Sequence, residues 1–452
     1  MLASIAAYLL VAASYLQARL TDDGVIYYDF MRRLVGEDVE AYAYQFGVVF
    51  WNLPFYILSR IVRLSNDDDW IEHVLIGAVA VAIASTAAVL ALFYVSWRLI
   101  RELGLPGGAG AILVTIFGSP LFYYSIFQPG LKHAFDALLV ATLALFLLRA
   151  SRQPGSARLA VMLGVILAVL ISVRYANLVL VFGVLFVFLR QRALTQAYLA
   201  TATAFVGATL ILAVPLALGI PYGLPPAEGS SGPTIAGAAQ EPGALFPALT
   251  LQRNAAESDP SRPVSVGGGV DNLSSFQIDA LAPVKMLFTL KRGLFVWTPL
   301  TALGVLGYLL FLRRGQRDRT FLIGLGLSAT ALLLVHIVWG GFWAGGFSFS
   351  QRFLTALFPV FVIGIAELLA RTRMLVAPLL IACIAWTTFL ALHHFYGYEH
   401  VSQDDGVTRI VDLYRGGEEN GSSFMQERIR GPIARHWEAY LRWAGLASSA
   451  DP

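Results

Sequence analysis

Two adjacent carboxylates, Asp22 and Asp23, follow the first apolar run of the chain, and the aromatic pair Tyr27 and Tyr28 stands one helical turn beyond them. Acids at such a point mark a water boundary, and either one could cap the next helix. Side by side near lipid, however, two like charges repel and are costly to desolvate. A carboxylate held there could serve as general base on a hydroxyl. A second group lies in the turn Gln128–His133, where Lys132 and His133 are followed one helical turn later by Asp136. These cations stand where a lipid-linked phosphate would sit; interfacial snorkelling is the plain alternative. Arg174, in Arg174-Tyr175-Ala176-Asn177, interrupts an otherwise apolar stretch and needs an anion or a cavity. A guanidinium fork suits phosphate oxygens, and a structural pairing with Asp136 would satisfy it equally. Lys291-Arg292-Gly293-Leu294-Phe295 leads into a run containing Pro299, and a Gly- and Trp-rich stretch from Trp339 to Arg352 joins two more runs. Within that stretch Trp343 could belong to an aromatic belt or stack on a sugar face.

The elements that must hold these residues are helices in lipid. Hydrophobic residues make up 57% of the 452 and charged ones 13%, about half the share of a soluble domain; the mean hydropathy is +0.67. The formal charge of +3 gives no sign of a nucleic-acid partner. The lone cysteine, Cys383, can neither close an internal disulfide nor build a Cys/His metal cluster. Apolar runs long enough to approach a span, which takes about 20 residues, lie at Leu2–Leu20, Val74–Trp97, Gly107–Phe127, Leu131–Leu148, Leu159–Val173, Ala176–Leu189, Tyr198–Ile220, Gly293–Leu312, Phe321–Trp339, Phe353–Ala370 and Met374–Leu392. The first reads as a retained signal-anchor helix.

With the N-terminus inside, all the short inner loops are basic: Arg98 and Arg101; Arg149, Arg152 and Arg158; Arg190 and Arg192; Arg313 to Arg319; Arg371 and Arg373. The region Phe46–Val62, broken by Pro54 and carrying Arg60, would invert every later loop if it crossed, so it reads as an interfacial or re-entrant helix. The expectation is therefore an all-α polytopic bundle of about eleven spans, N-in and C-out. Residues 1–392 form one membrane domain, with outer loops at 21–73 and 221–291. Residues 393–452 form an outer amphipathic tail whose apolar face includes Trp437 and Tyr440. Leu159–Leu189 is too long for one span at about 45 Å, so the polar break at Arg174 should lie below the outer surface, buried or facing a wet cavity. In this topology Asp22, Asp23, Lys132, His133, Arg174, Arg292 and Arg352 all meet at the non-cytoplasmic face, and Arg352 breaks the inner-side arginine pattern. His393, His394 and His400 cluster beyond the last run, where an interfacial role fits better than metal binding.

Taken together, the acidic pair, the outer loop with interfacial helices, the Lys132-His133 turn, Arg174-Tyr175, the Lys291 to Pro299 segment and the Trp343 to Arg352 loop resemble a GT-C class glycosyltransferase. The likeness is greatest to bacterial mannosyl- and arabinosyltransferase-like members and the protein O-mannosyltransferase branch, in the order and sidedness of elements and not in one motif. The resemblance implies a polyprenyl-phosphate sugar donor, a glycan, lipid or protein acceptor and a bacterial cytoplasmic membrane, with the active site facing outward. It implies Asp22 as catalytic base with Asp23 beside it, where the family more often has Glu. It also implies donor-phosphate binding by Lys132, His133, Arg174, Arg292 and Arg352, and substrate contacts from Tyr27, Tyr28, Tyr175 and Trp343. No metal or other cofactor is needed in this reading, although a divalent cation remains compatible with it. A transporter or flippase of a lipid-linked or anionic substrate would instead place charges near mid-membrane. A ligase-type enzyme would share the basic pocket and tolerate loss of Asp22, and a non-catalytic relative would keep only the scaffold.

Overall fold

The computed structural model describes residues 1–15, 23–39, 41–43, 45–63, 70–221, 278–314, 317–338, 348–396 and 407. Asp22, Trp343, most of the long outer loop and the tail beyond residue 396, apart from Val407, lie outside these residues. The described chain is all-α. Its helices are α1 (Leu2–Tyr15), α2 (Asp23–Leu34), α3 (Gly47–Arg63), α4 (Trp70–Glu102), α5 (Gly108–Phe117), α6 (Pro120–Ile126), α7 (His133–Arg152) and α8 (Ala157–Val173). They continue with α9 (Val181–Arg190), α10 (Leu194–Ala217), α11 (Ala282–Phe288), α12 (Leu294–Trp297), α13 (Leu300–Arg314), α14 (Arg319–Leu334) and α15 (Phe358–Tyr396).

Within the described residues, each of the eleven apolar runs contains helix. Among the described residues six helical stretches are long and apolar enough to cross a membrane, two of them the halves of α15 that meet at a kink at Thr372, and a seventh span results if α5 and α6, bent by 76°, are counted as one. The chain is therefore a membrane protein. α1, α8 and the stretch Tyr175–Arg190 are apolar but shorter. The bend between α5 and α6 follows from Gly118-Ser119-Pro120, since Pro120 suits the first turn of a new helix and cannot continue the old one.

Packing is the inverse of a soluble bundle. On α10 the small residues Ala197, Ala200, Ala204 and Ala208 face inward, while Phe205, Leu210 and Leu216 are mostly exposed. Small residues at helix contacts let backbones approach where lipid removes the hydrophobic drive. The α13–α15 crossing carries this furthest. A methyl group on Gly364 would strike the Gly304 carbonyl, and one on Gly307 would strike Gly364. α3 leaves Phe50, Ile57, Leu58 and Ile61 exposed and turns Val48, Asn52 and Tyr56 inward. Such a two-faced helix fits an interfacial position.

The bundle has two polar ends. At one end Arg149 Nη2 lies 2.6 Å from Glu102 Oε1, and Arg152 grips Asp318 with two bonds of 2.9 Å. Buried Glu367 pairs with Arg371 and, at 3.7 Å, with Arg314. α7 runs from this end to Lys132, about 30 Å away along a 20-residue helix.

Candidate functional site

The second polar end is built around the N-terminus of α7. Lys132 is its N-cap residue and is buried. Its Nζ donates to Tyr27 Oη at 2.9 Å and to Gln45 Oε1, and lies 3.8 Å from Asp23 Oδ2. Asp23 opens α2 and Tyr27 stands one turn on, so α2 presents both residues on one face. Burial, reinforced by the Arg174 and Arg352 guanidiniums, pushes the Lys132 ammonium down to about 7; Asp23 and Asp136 pull the other way. The same charges show that Asp23, Lys132, Arg174, Arg352 and Asp136 share one electrostatic neighbourhood.

His133 packs its ring 4.4 Å from that of Tyr124, and its Nδ1 lies 3.4 Å from Thr355 Oγ1. Thr355 Oγ1 also lies 2.8 Å from the Arg352 carbonyl, so this hydroxyl links His133 to the backbone of Arg352.

Arg174 takes the structural partner that the sequence also allowed. It sits in extended backbone just past α8, before the 3₁₀ turn Tyr175–Leu180, and is buried. Its Nη1 spends both protons, on Asp136 Oδ2 at 3.0 Å and on the Phe353 carbonyl at 2.9 Å. Asn177 Nδ2 closes the arrangement on Asp136 Oδ1 at 2.7 Å. Nη2 and Nε of Arg174 donate to none of the described residues, so one edge of the fork remains for an anion while Asp136 holds the other. Arg174 and Arg352 lie against the Phe353 ring, at 5.2 Å and 5.4 Å from its centroid.

Arg292 is buried in a neighbouring centre. It donates to the Ser348 carbonyl and to His394 Nε2 at 3.0 Å. His394 Nδ1 then faces Tyr123 Oη at 3.0 Å. The two centres meet at consecutive tyrosines of α6: Tyr123 belongs to Arg292 and His394, and Tyr124 to His133. His394 is thus a buried partner of Arg292, an outcome different from the interfacial role expected of it. Tyr28 points away from Lys132, packing edge-on against Tyr56 at 5.5 Å. Tyr175 is partly exposed and its hydroxyl meets the backbone of Gln45.

Sequence reasoning had singled out neither Gln45 nor Tyr124, Thr355 nor Gln351. Gln45 joins Lys132 to Tyr175 from a left-handed backbone position (φ +46°); an uncharged side chain between aromatics carries little signal. Beside the cluster, Gly47, Phe50, Trp51, Phe135, Val169, Leu210, Ile211 and Val214 line an apolar groove of about 490 Å³. Among the described residues no group of three or more His, Cys, Asp or Glu side chains is placed to hold a metal ion. The arrangement can bind an anion in a poorly hydrated setting, beside a carboxylate and an apolar trough. No protein-family model matches the chain, and no curated protein matches it.

Proposed function

We propose that the chain is a GT-C-type glycosyltransferase, moving a sugar from a polyprenyl-phosphate donor to a hydroxyl of a glycan, lipid or protein. The observation that carries this reading is the cluster at the N-terminus of α7: Lys132 and the uncommitted edge of Arg174, buried together, with the Asp23 carboxylate 3.8 Å from the lysine. In a single displacement the acceptor oxygen attacks the anomeric carbon and the bond to the phosphate oxygen breaks. The charge that develops on the departing lipid phosphate is stabilised most by preorganised cations in a site poor in water. Lys132, Arg174 and Arg352 meet that need, with Arg292 alongside. The acceptor proton passes to the carboxylate of Asp22 or Asp23, and the configuration inverts. The groove along Trp51 and Phe135 suits the apolar chain, since Phe135 follows Lys132 by less than one turn of α7. About eleven crossings, N-in and C-out, would put the cluster on the outer face of a bacterial cytoplasmic membrane.

The test is transfer from a panel of radiolabelled polyprenyl-phosphate sugars by the purified protein in nanodiscs. Wild type is expected to transfer, and either Asp22→Asn or Asp23→Asn to lose about 10²- to 10⁴-fold with unchanged thermal unfolding. Full activity in both variants removes the catalytic proposal. Uptake into sealed vesicles without transfer would identify a transporter instead.

A further inference from the structure

The segment Ser348–Gln351 holds three buried polar atoms with no hydrogen-bond partner among the described residues: Ser350 Oγ and both amide atoms, Oε1 and Nε2, of Gln351. Both residues are 0% exposed. Such atoms carry a desolvation cost if nothing ever meets them, and native proteins keep few of them.

The backbone carbonyls around them all accept hydrogen bonds. The Ser348 carbonyl accepts from Arg292, and that of Phe349 from Tyr124 Oη at 2.9 Å. The Ser350 carbonyl accepts from Ser348 Oγ at 3.3 Å, and that of Gln351 from the Leu354 amide at 3.0 Å. The Phe349 ring stacks on Tyr123 at 4.7 Å and meets Trp297 edge-on at 5.3 Å. Ser350 is held at φ +49°, a conformation uncommon for a residue with a side chain. The carbonyls and the Phe349 ring thus fix the segment, and the two side chains left without partners on it immediately precede Arg352 in the order Ser350-Gln351-Arg352.

The atom types limit the ligand. A carboxamide offers an acceptor and two donors, and a serine hydroxyl offers both. Phosphate oxygens only accept, so a phosphate here would leave Gln351 Oε1 unmet. A hydrocarbon chain would meet none of the three. Sugar hydroxyls and water both give and accept and can meet all three; of the parts of a lipid-phosphate sugar, only the sugar does so.

We infer that Gln351, with Ser350, determines sugar specificity by hydrogen-bonding hydroxyls of the sugar carried on the lipid phosphate. This inference rests on the function proposed above. The experiment compares the binding of each member of the polyprenyl-phosphate-sugar panel with sugar-free polyprenyl phosphate, by tryptophan fluorescence in nanodiscs, for wild type, Gln351→Met and Ser350→Ala. Wild type is expected to prefer one sugar-bearing donor. Gln351→Met should lose roughly 10- to 100-fold of affinity for that donor, keep its affinity for the bare lipid phosphate, and unfold no more easily than wild type. A structural glutamine would instead lower stability and weaken both ligands together. Equal wild-type affinity for bare and sugar-bearing lipids, with transfer intact, overturns the role of Gln351 and leaves the enzyme reading standing. Failure of wild type to bind any lipid phosphate overturns both.

Discussion

Replacing Asp136 tests whether Arg174 is held by a buried ion pair. Asp136 is 0% exposed and accepts from Arg174 at 3.0 Å and Asn177 at 2.7 Å. Hydrogen bonds to a charged group contribute about 1.5–3 kcal/mol each, and stripping one partner from a buried pair costs about 3–5 kcal/mol because the other charge is left behind. After Asp136→Ala, Arg174 would retain only the Phe353 carbonyl, so a loss near the upper half of that range is expected. Asp136→Asn should cost nearly as much: Arg174 and Asn177 donate to different oxygens of Asp136, and in Asn one of these becomes an NH₂ that faces a donor. The double variant Asp136→Leu/Arg174→Met removes both charges and should recover to within about 1–2 kcal/mol of wild type. Reversible unfolding by SDS in mixed micelles, followed by tryptophan fluorescence, gives the full cycle. A loss below about 1 kcal/mol in Asp136→Ala, or a double variant no more stable than the single, would refute the reasoning. The recovered double variant should still fail to transfer sugar, because the outer edge of Arg174 is gone.

Lys132 should make stability depend on pH. Its folded-state pKa, pushed down to about 7 by burial, lies below the unfolded value of about 10.4, so the unfolded chain binds more protons between those limits. Stability should rise with pH across roughly 7 to 10, by at most about 1.4 kcal/mol per unit, and Lys132→Met should flatten that rise in thermal unfolding curves. Gly364→Ala, which collides with Gly304 across the α13–α15 crossing, should destabilise by about 1–3 kcal/mol. Gly110→Ala in α5, where an added methyl meets nothing within 4 Å, should be neutral or stabilising by up to about 1 kcal/mol in the same assay.

The helices were legible in the sequence because apolar length is a strong signal. Their breaks were less so. Gly118-Ser119-Pro120 sits inside the run Gly107–Phe127, which reads as one span until the 76° bend is seen. Arg371-Thr372-Arg373 reads as a break between two spans, and the chain does break there: the backbone leaves the helical range at Thr372 (φ −137°), and Arg352–Thr372 and Met374–Phe395 are separate candidate spans, although neither glycine nor proline marks the kink. For the site, charge was the readable feature. Asp23, Lys132, His133, Arg174 and Arg352 all stand out against lipid, and the alternative partner of Arg174 was visible as Asp136. The neutral members were not readable, because what distinguishes Gln351 from any other glutamine is the lack of a partner inside a packed wall.

That wall explains why α6 must leave the line of α5. All seven residues of Pro120–Ile126 are buried, and Tyr123 and Tyr124 point to different sides because successive helical residues turn by about 100°. Their rings stand 5.4 Å apart at 84°. Tyr123 thereby reaches His394 while Tyr124 reaches His133, and both hold Phe349, one through its ring and the other through its carbonyl. A straight continuation of α5 could not place two neighbouring side chains between two cationic centres. The broken backbone at Gly118-Ser119-Pro120 is tolerable in lipid only because protein covers it. At Gly118 the cover is the Leu300 side chain, while α7 and the turn Arg352–Leu357, which carry Lys132, His133 and Arg352, pack on α6 beyond the break. The bend and the cation cluster are therefore linked: the break redirects α6 onto the elements that carry the cluster, and so aims the tyrosines that hold the cluster's loop in place.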